Sequence, residues 1–174
     1  MTSIKNFYSL LILLLIPFFV FCQTSNLVLT GIMDFTVPSG GNDGKAIHVT
    51  AIDTIPNLSL YGIGVAYNGY GSNGQQYTFD SISVLPGEDI LVARSIPAMN
   101  SYFDTCIIEF DHILQASSFI SQNGDDAIEL FFNGNVVETF GDISVDGTGE
   151  CWEYADSWAY KSPSGDSTCL AGIW

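Results

Sequence analysis

The side chains able to do acid–base or metal chemistry are few, and their spacing is uninviting. The chain carries 19 Asp and Glu, 4 Lys and Arg and 2 His among its 174 residues. His48 and His112 would be the natural general bases. His48 lies inside the alternating run GKAIHVTAI, and His112 sits between Asp111 and an apolar pair. Neither belongs to a GxSxG or HExxH pattern, so neither brings a nucleophile or a second ligand at a recognisable spacing. Each reads as a surface histidine or a hydrogen-bonded core one. Cys106 has no motif that points to a base. No catalytic residue is assigned.

Carboxylates offer more. Asp125, Asp126, Asp142 and Asp146 fall in glycine-containing loops, and such loops supply the oxygen ligands that calcium takes. The stretch from Asp142 to Gly147 lacks the alternating Asp/Asn spacing of an EF-hand loop, and Asp and Gly are ordinary turn residues. A calcium site and plain turn formation both stand as readings, and no other cofactor is expected. A second candidate comes from NGDDAIELFFNGNVVETFGDISVDG, Asn123 to Gly147. Two apolar runs, Ala127 to Phe132 and Val136 to Phe140, flank Asn133-Gly134, a dipeptide suited to a two-residue turn with φ > 0 at both positions. Unbroken pairing from that turn sets Leu130 against Val137 and Glu129 against Glu138. Like charges directly opposed on a strand pair are destabilising. A cation, a Lys or Arg from elsewhere, a raised pKa or simple solvation would relieve them. The aromatics are the third candidate. Tyr61, Tyr67, Tyr70 and Tyr77 lie in or near the loop NGYGSNGQQ, where they could stack on sugar rings. Trp152 and Trp158 could do the same, although core packing is the expectation for both tryptophans.

The elements that must position these groups are nearly all strands. Leu27 to Met33, Lys45 to Ile52, Leu58 to Ala66, Gln76 to Phe79, Asp89 to Ala93 and Phe110 to Leu114 read as strands, followed by the hairpin. In the second, Ala46, His48 and Thr50 share one face and Ile47, Val49 and Ala51 the other. Ser95 to Glu109, opened by Pro97, is the one helical insert, with Met99, Tyr102 and Phe103 on one side. Trp152, Tyr154, Trp158 and Tyr160 form an aromatic closing segment. Short strands divided by Gly and Pro turns predict a sandwich or barrel.

Residues 1–22 read as a secretory signal: Lys5, an apolar core from Leu10 to Phe21, then Val20-Phe21-Cys22 before a cleavage at Gln23. The apolar run is shorter than the ~20 residues of a membrane span. Lipidation at Cys22 is the alternative, disfavoured by Phe21. Residues 23–174 then form one domain, secreted or at the cell surface. All the acidic residues lie in it, and the chain's formal charge of −15 repels phosphate backbones, so direct nucleic-acid binding is disfavoured. Cys106, Cys151 and Cys169 leave an odd number of thiols. Cys151–Cys169 is the favoured disulfide because it would pin the C-terminal segment.

Five pieces in order resemble the secreted lamin-tail domains of bacteria. They are GKAIHV at Gly44, LSLYGIGVAYNGYGSNGQQYTF from Leu58, PGEDILVA from Pro86, the hairpin with FGD at Phe140, and VDGTGECWEYADSWAYK from Val145. His48 stands where that family commonly has Glu, and Cys151 where a small residue is usual. The resemblance implies an all-β fold, an immunoglobulin-like β-sandwich with one short helical insert. It also implies a non-catalytic adhesion, scaffold or accessory binding role, with a cell-surface protein or polysaccharide as partner. An accessory part of an extracellular nuclease or phosphatase, and a calcium-dependent glycan binder, are the alternatives.

Overall fold

A computed structural model of the chain describes residues 25–36 and 41–162. The strands are β1 (Leu27–Phe35), β2 (Gly44–Ala51), β3 (Tyr61–Ala66), β4 (Tyr77–Thr78), β5 (Asp89–Ala93), β6 (His112–Gln115), β7 (Ala127–Phe132), β8 (Asn135–Phe140) and β9 (Trp158–Tyr160). Among the described residues one α-helix, α1 (Ile96–Phe103), stands between β5 and β6. The strands form two sheets, ordered β6-β5-β2-β1-β9 and β4-β3-β7-β8. Pairing is antiparallel except between β5 and β6. The expected all-β sandwich with one short helix is the observed architecture. The expected signal segment lies outside the described residues.

The period-2 pattern of β2 explains its place. Ile47, Val49 and Ala51 point into the core shared by the two sheets, with Ile32, Ile90 and Val92 beside them and Ile63, Val65, Ile128 and Leu130 opposite. The alternate residues are also covered. Met33, Ala46, Leu91 and Ala93 pack outward against Met99 and Ile107, from α1 and the turn after it. Both faces of the five-stranded sheet are thus covered at its centre, and β2 and β5 are buried along almost their whole length. Each large aliphatic side chain so buried contributes roughly 1.5–3 kcal/mol.

The helical insert is shorter than its sequence span. Ser95 caps it, its hydroxyl accepting from the Ala98 N–H, and Pro97 sits in the first turn. Asp104 ends it at φ 49°, and a 3-10 turn continues over Asp104–Glu109. The third strand also begins later than expected. Leu58–Leu60 is a 3-10 turn capped by the Asn57 side chain, and the strand starts at Tyr61.

The alternation YGIGV in β3 has a packing cause. A Cβ on Gly62 would lie 2.3 Å from the Tyr77 carbonyl oxygen, and one on Gly64 would lie 2.2 Å from that of Gly74. The two glycines let the glycine-rich segment lie directly on the outer face of the small sheet.

Candidate functional site

The hairpin turns as expected and then departs from simple pairing. Asn133 and Gly134 have φ 49° and 76°, and Phe132 faces Asn135 and Phe131 faces Val136. A bulge follows. Leu130 pairs with Glu138 and Glu129 with Thr139, leaving Val137 as the extra residue. The opposed Glu129–Glu138 pair and the Leu130–Val137 pair therefore do not form. Glu129 is only 2% exposed, lies opposite Gly64 and accepts from the Ser72 hydroxyl of the glycine-rich segment. Glu138 instead reaches the other sheet. One of its oxygens accepts from the Leu29 N–H at 2.8 Å, and the other accepts from Lys161. A register shift between Leu29 and Gly31 in the β1–β2 ladder accompanies that N–H turning away. The Thr30 carbonyl takes the Lys161 N–H at 2.9 Å. Two bulges, one in each sheet, meet at Glu138.

The loop aspartates are spent on local turns and struts. Asp142 accepts from the Ser144 N–H at 2.8 Å and Asp146 from the Thr148 N–H at 3.0 Å. The bonds from Thr148, its N–H first, hold the Asp146 carboxyl below its usual pKa. Asp125 accepts from the Thr148 hydroxyl at 3.1 Å. Asp126 is buried and accepts from the N–H groups of Asn68 and Asn123 at 2.9 and 3.1 Å. Burial raises its pKa, against the pull of those donors and of Lys45. Among the described residues no group of three or more His, Cys, Asp or Glu side chains is gathered to hold a metal.

Three further arrangements did not emerge from the sequence. The first is a buried polar cluster at one end of the core. Lys45 and Asp34 are each 5% exposed and face each other across β1 and β2, with Nζ donating to Asp34 Oδ1 at 2.5 Å and also to the Gln122 carbonyl. The Gln122 amide donates to the carbonyls of Met33 and Ala46 at 3.2 and 3.4 Å. Nearby, the hydroxyl of fully buried Tyr154 donates to the Asp126 carbonyl at 3.0 Å. A sequence signal existed: Lys45 is a lone cation entering an apolar strand in a strongly acidic chain.

The second is a chain of hydrogen bonds on the outer face of the large sheet. His48 Nε2 lies 2.8 Å from Asp89 Oδ1, which also accepts from the Thr50 hydroxyl at 2.6 Å. Thr50 in turn contacts the Thr30 hydroxyl at 2.7 Å. The His48 ring packs edge-on to Phe110. Because the Thr50 proton goes to Asp89 rather than to the imidazole, this is not the nucleophile–base geometry of a hydrolytic triad. His112 lies 3.1 Å from Glu88.

The third is an aromatic groove of about 320 Å³ beside β9, lined by Met33, Phe35, Tyr102, Phe103, Trp158 and Tyr160. Phe35 stacks on Tyr102 at 5.0 Å and approaches Trp158 at 5.8 Å. Trp158 was expected in the core but is 49% exposed. The three-residue β9 is an edge strand, and Ala159 is the residue it points inward. Trp152 packs partly buried against the core. Of the tyrosines, Tyr61 is buried, Tyr67 and Tyr77 pack partly buried against the core, and Tyr70 stands 88% exposed.

Cys106 is a free, exposed thiol. The Cys151–Cys169 pairing involves Cys169, which lies outside the described residues. No described helix is long and apolar enough to cross a membrane. Comparison of the chain with protein-family models, with curated proteins and with solved structures finds no match.

Proposed function

We propose that the protein is a secreted, non-catalytic β-sandwich module of the lamin-tail type, immunoglobulin-like in topology, with a scaffolding or accessory binding role. One observation carries this reading. The side chains that could do chemistry are engaged as internal fasteners: His48 on Asp89, Glu129 on Ser72, Glu138 on Leu29, and the loop aspartates on backbone N–H groups. A catalytic group must instead present its lone pair or proton to a substrate. The family pieces also fall on coherent elements: GKAIHV on β2, PGEDILVA leading into β5, and the hairpin as β7 and β8. The purified protein is expected to show no turnover on DNA, phosphate esters or peptides. Metal-dependent nuclease activity that disappears on substituting Asp125 or Asp146 would overturn the reading.

The aromatic groove favours one ligand class. Half-exposed Trp158 and Tyr102 flank stacked Phe35, and aromatic faces of this kind suit the apolar faces of pyranose rings. The acidic charge repels anionic polymers, so the ligand in this reading is a neutral polysaccharide at the cell surface. Co-sedimentation with an insoluble neutral glucan tests it, with retention expected for the protein and lost in Trp158→Ala. Equal retention of both would remove the groove from the reading. Repeating the assay with a chelator decides whether calcium takes part.

A further inference from the structure

Lys45 and Asp34 hold an unusual position for an ion pair. They are registered directly across β1 and β2 and nine-tenths buried. They lie on the inward face, in phase with core residues Ile32 and Ile47. Gln122 clamps the adjoining rung of the ladder, its amide donating to the carbonyls of Met33 and Ala46, which face each other across β1 and β2. Its own Oε1 is buried without a hydrogen-bond partner.

We propose that Lys45 and Asp34 condense into an intramolecular amide, joining Nζ of Lys45 to Cγ of Asp34 and cross-linking β1 to β2. The reactants start as ammonium and carboxylate. Transfer of one proton from Nζ to the carboxylate gives a neutral amine and a carboxylic acid. The amine lone pair attacks Cγ, forming the C–N bond and a tetrahedral adduct. Nζ gives up a second proton, the C–O bond breaks, and the departing hydroxyl takes that proton and leaves as water. The product keeps one N–H on the former Nζ, matched to the Gln122 carbonyl that already accepts from it. No oxidant or co-reactant is needed.

Three physical features favour the step. Nζ is held 2.5 Å from the carboxylate by strand register, which converts a bimolecular reaction into an intramolecular one with a high effective molarity. Burial penalises the two charges of the reactants far more than the neutral amide of the product, and the water formed escapes to bulk. A second buried carboxyl, Asp126, interacts electrostatically with Lys45, and burial keeps it protonated to higher pH than usual, as a proton carrier requires. The contact between Lys161 and Glu138 is the internal contrast. Its lysine side chain is 39% exposed, solvation stabilises its ions, and it stays an ion pair.

The wild-type protein decides the matter. Its intact mass, reduced and denatured, is expected to be lower than that of its processed sequence by one water. Trypsin under denaturing conditions should cut after Arg94 and Lys161 but not after Lys45. A second digest should yield a branched peptide joining the segments around Asp34 and Lys45. Full mass with cleavage after Lys45 would overturn the proposal. So would a water loss that maps elsewhere, such as a succinimide at Asp43-Gly44. Asp34→Ala should restore cleavage after Lys45 whether or not it folds well. Asp126→Asn, checked for native circular dichroism, should lose or slow the cross-link. An unaltered cross-link in that variant would remove Asp126 from the mechanism.

Discussion

Tyr154 shows how one buried polar group sets a pH limit. Burial pushes its phenol well above the ordinary value, and the charges of Asp126, Asp34 and Asp125 push the same way. Tyr77 is pushed up to about 12, by burial and then by Asp80. A phenol whose folded pKa is raised costs nothing while both states are neutral. Above about pH 10 the unfolded chain ionises and the folded one does not, so stability falls as pH rises from there toward the folded values. Tyr154→Phe is expected to lose about 1–3 kcal/mol at neutral pH, because the Asp126 carbonyl loses its buried donor. It should also show a shallower alkaline decline, and denaturant titrations at a series of pH values check both. Asp126 works in the opposite sense to most paired carboxylates. Its raised pKa removes stability as pH rises through the carboxylate range. Glu138 offers a cleaner test of position. Glu138→Ala strips the acceptor from the Leu29 N–H and should cost about 1–3 kcal/mol. Glu138→Gln keeps an amide oxygen there and should recover most of it, which would assign the effect to the hydrogen bond rather than to the charge shared with Lys161.

At the scale of elements, the β7–β8 hairpin depends on its turn. A Cβ on Gly134 would meet no atom within 4 Å, so substitution there brings no clash, and its φ of 76° makes any cost one of backbone strain. Gly134→Val is expected to destabilise the domain by roughly 1–2 kcal/mol. An unchanged denaturation midpoint and slope would mean the tight turn is not needed. The dipeptide was legible because Asn-Gly carries its own dihedral preference. The bulge at Val137 was not, since it is fixed by what Glu138 reaches on β1, more than a hundred residues earlier in the chain. The same division runs through the fold. Strands β1, β2, β5 and β7 announced themselves by local period. The short β9 did not, because three residues carry no period and its pairing with Gly31 to Met33 is purely tertiary. The Lys45–Asp34 contact was hidden for the same reason: it exists only once the β1–β2 register is known. His48 was read as a surface or satisfied core residue, and Asp89 partners it across β2 and β5.

For the whole molecule, the dominant long-range term is charge. Nineteen acidic side chains oppose four basic ones, and two of the cations, Lys45 and Lys161, are already committed to Asp34 and Glu138. Arg94 is turned to the Ile120 carbonyl and the Ser121 hydroxyl rather than to a carboxylate. The remaining surface is a field of like charges whose mutual repulsion opposes the compact state. Exposed charges separated by more than about 8–10 Å are screened at physiological ionic strength. Raising sodium chloride from low concentration to that range should therefore raise stability. A gain of about 1 kcal/mol would appear as a rise in Tm of roughly 2–4 °C for a chain of this size. Calcium provides the discriminating arm of the experiment. If Asp125, Asp126, Asp142 and Asp146 act only as turn and strut formers, calcium chloride matched to the same ionic strength will raise Tm no further than a non-binding divalent salt does. A saturable extra rise at low calcium, lost in Asp146→Asn, would instead show a site built from those loops. Mass action would then make the rise grow with the logarithm of free calcium once the site is filled.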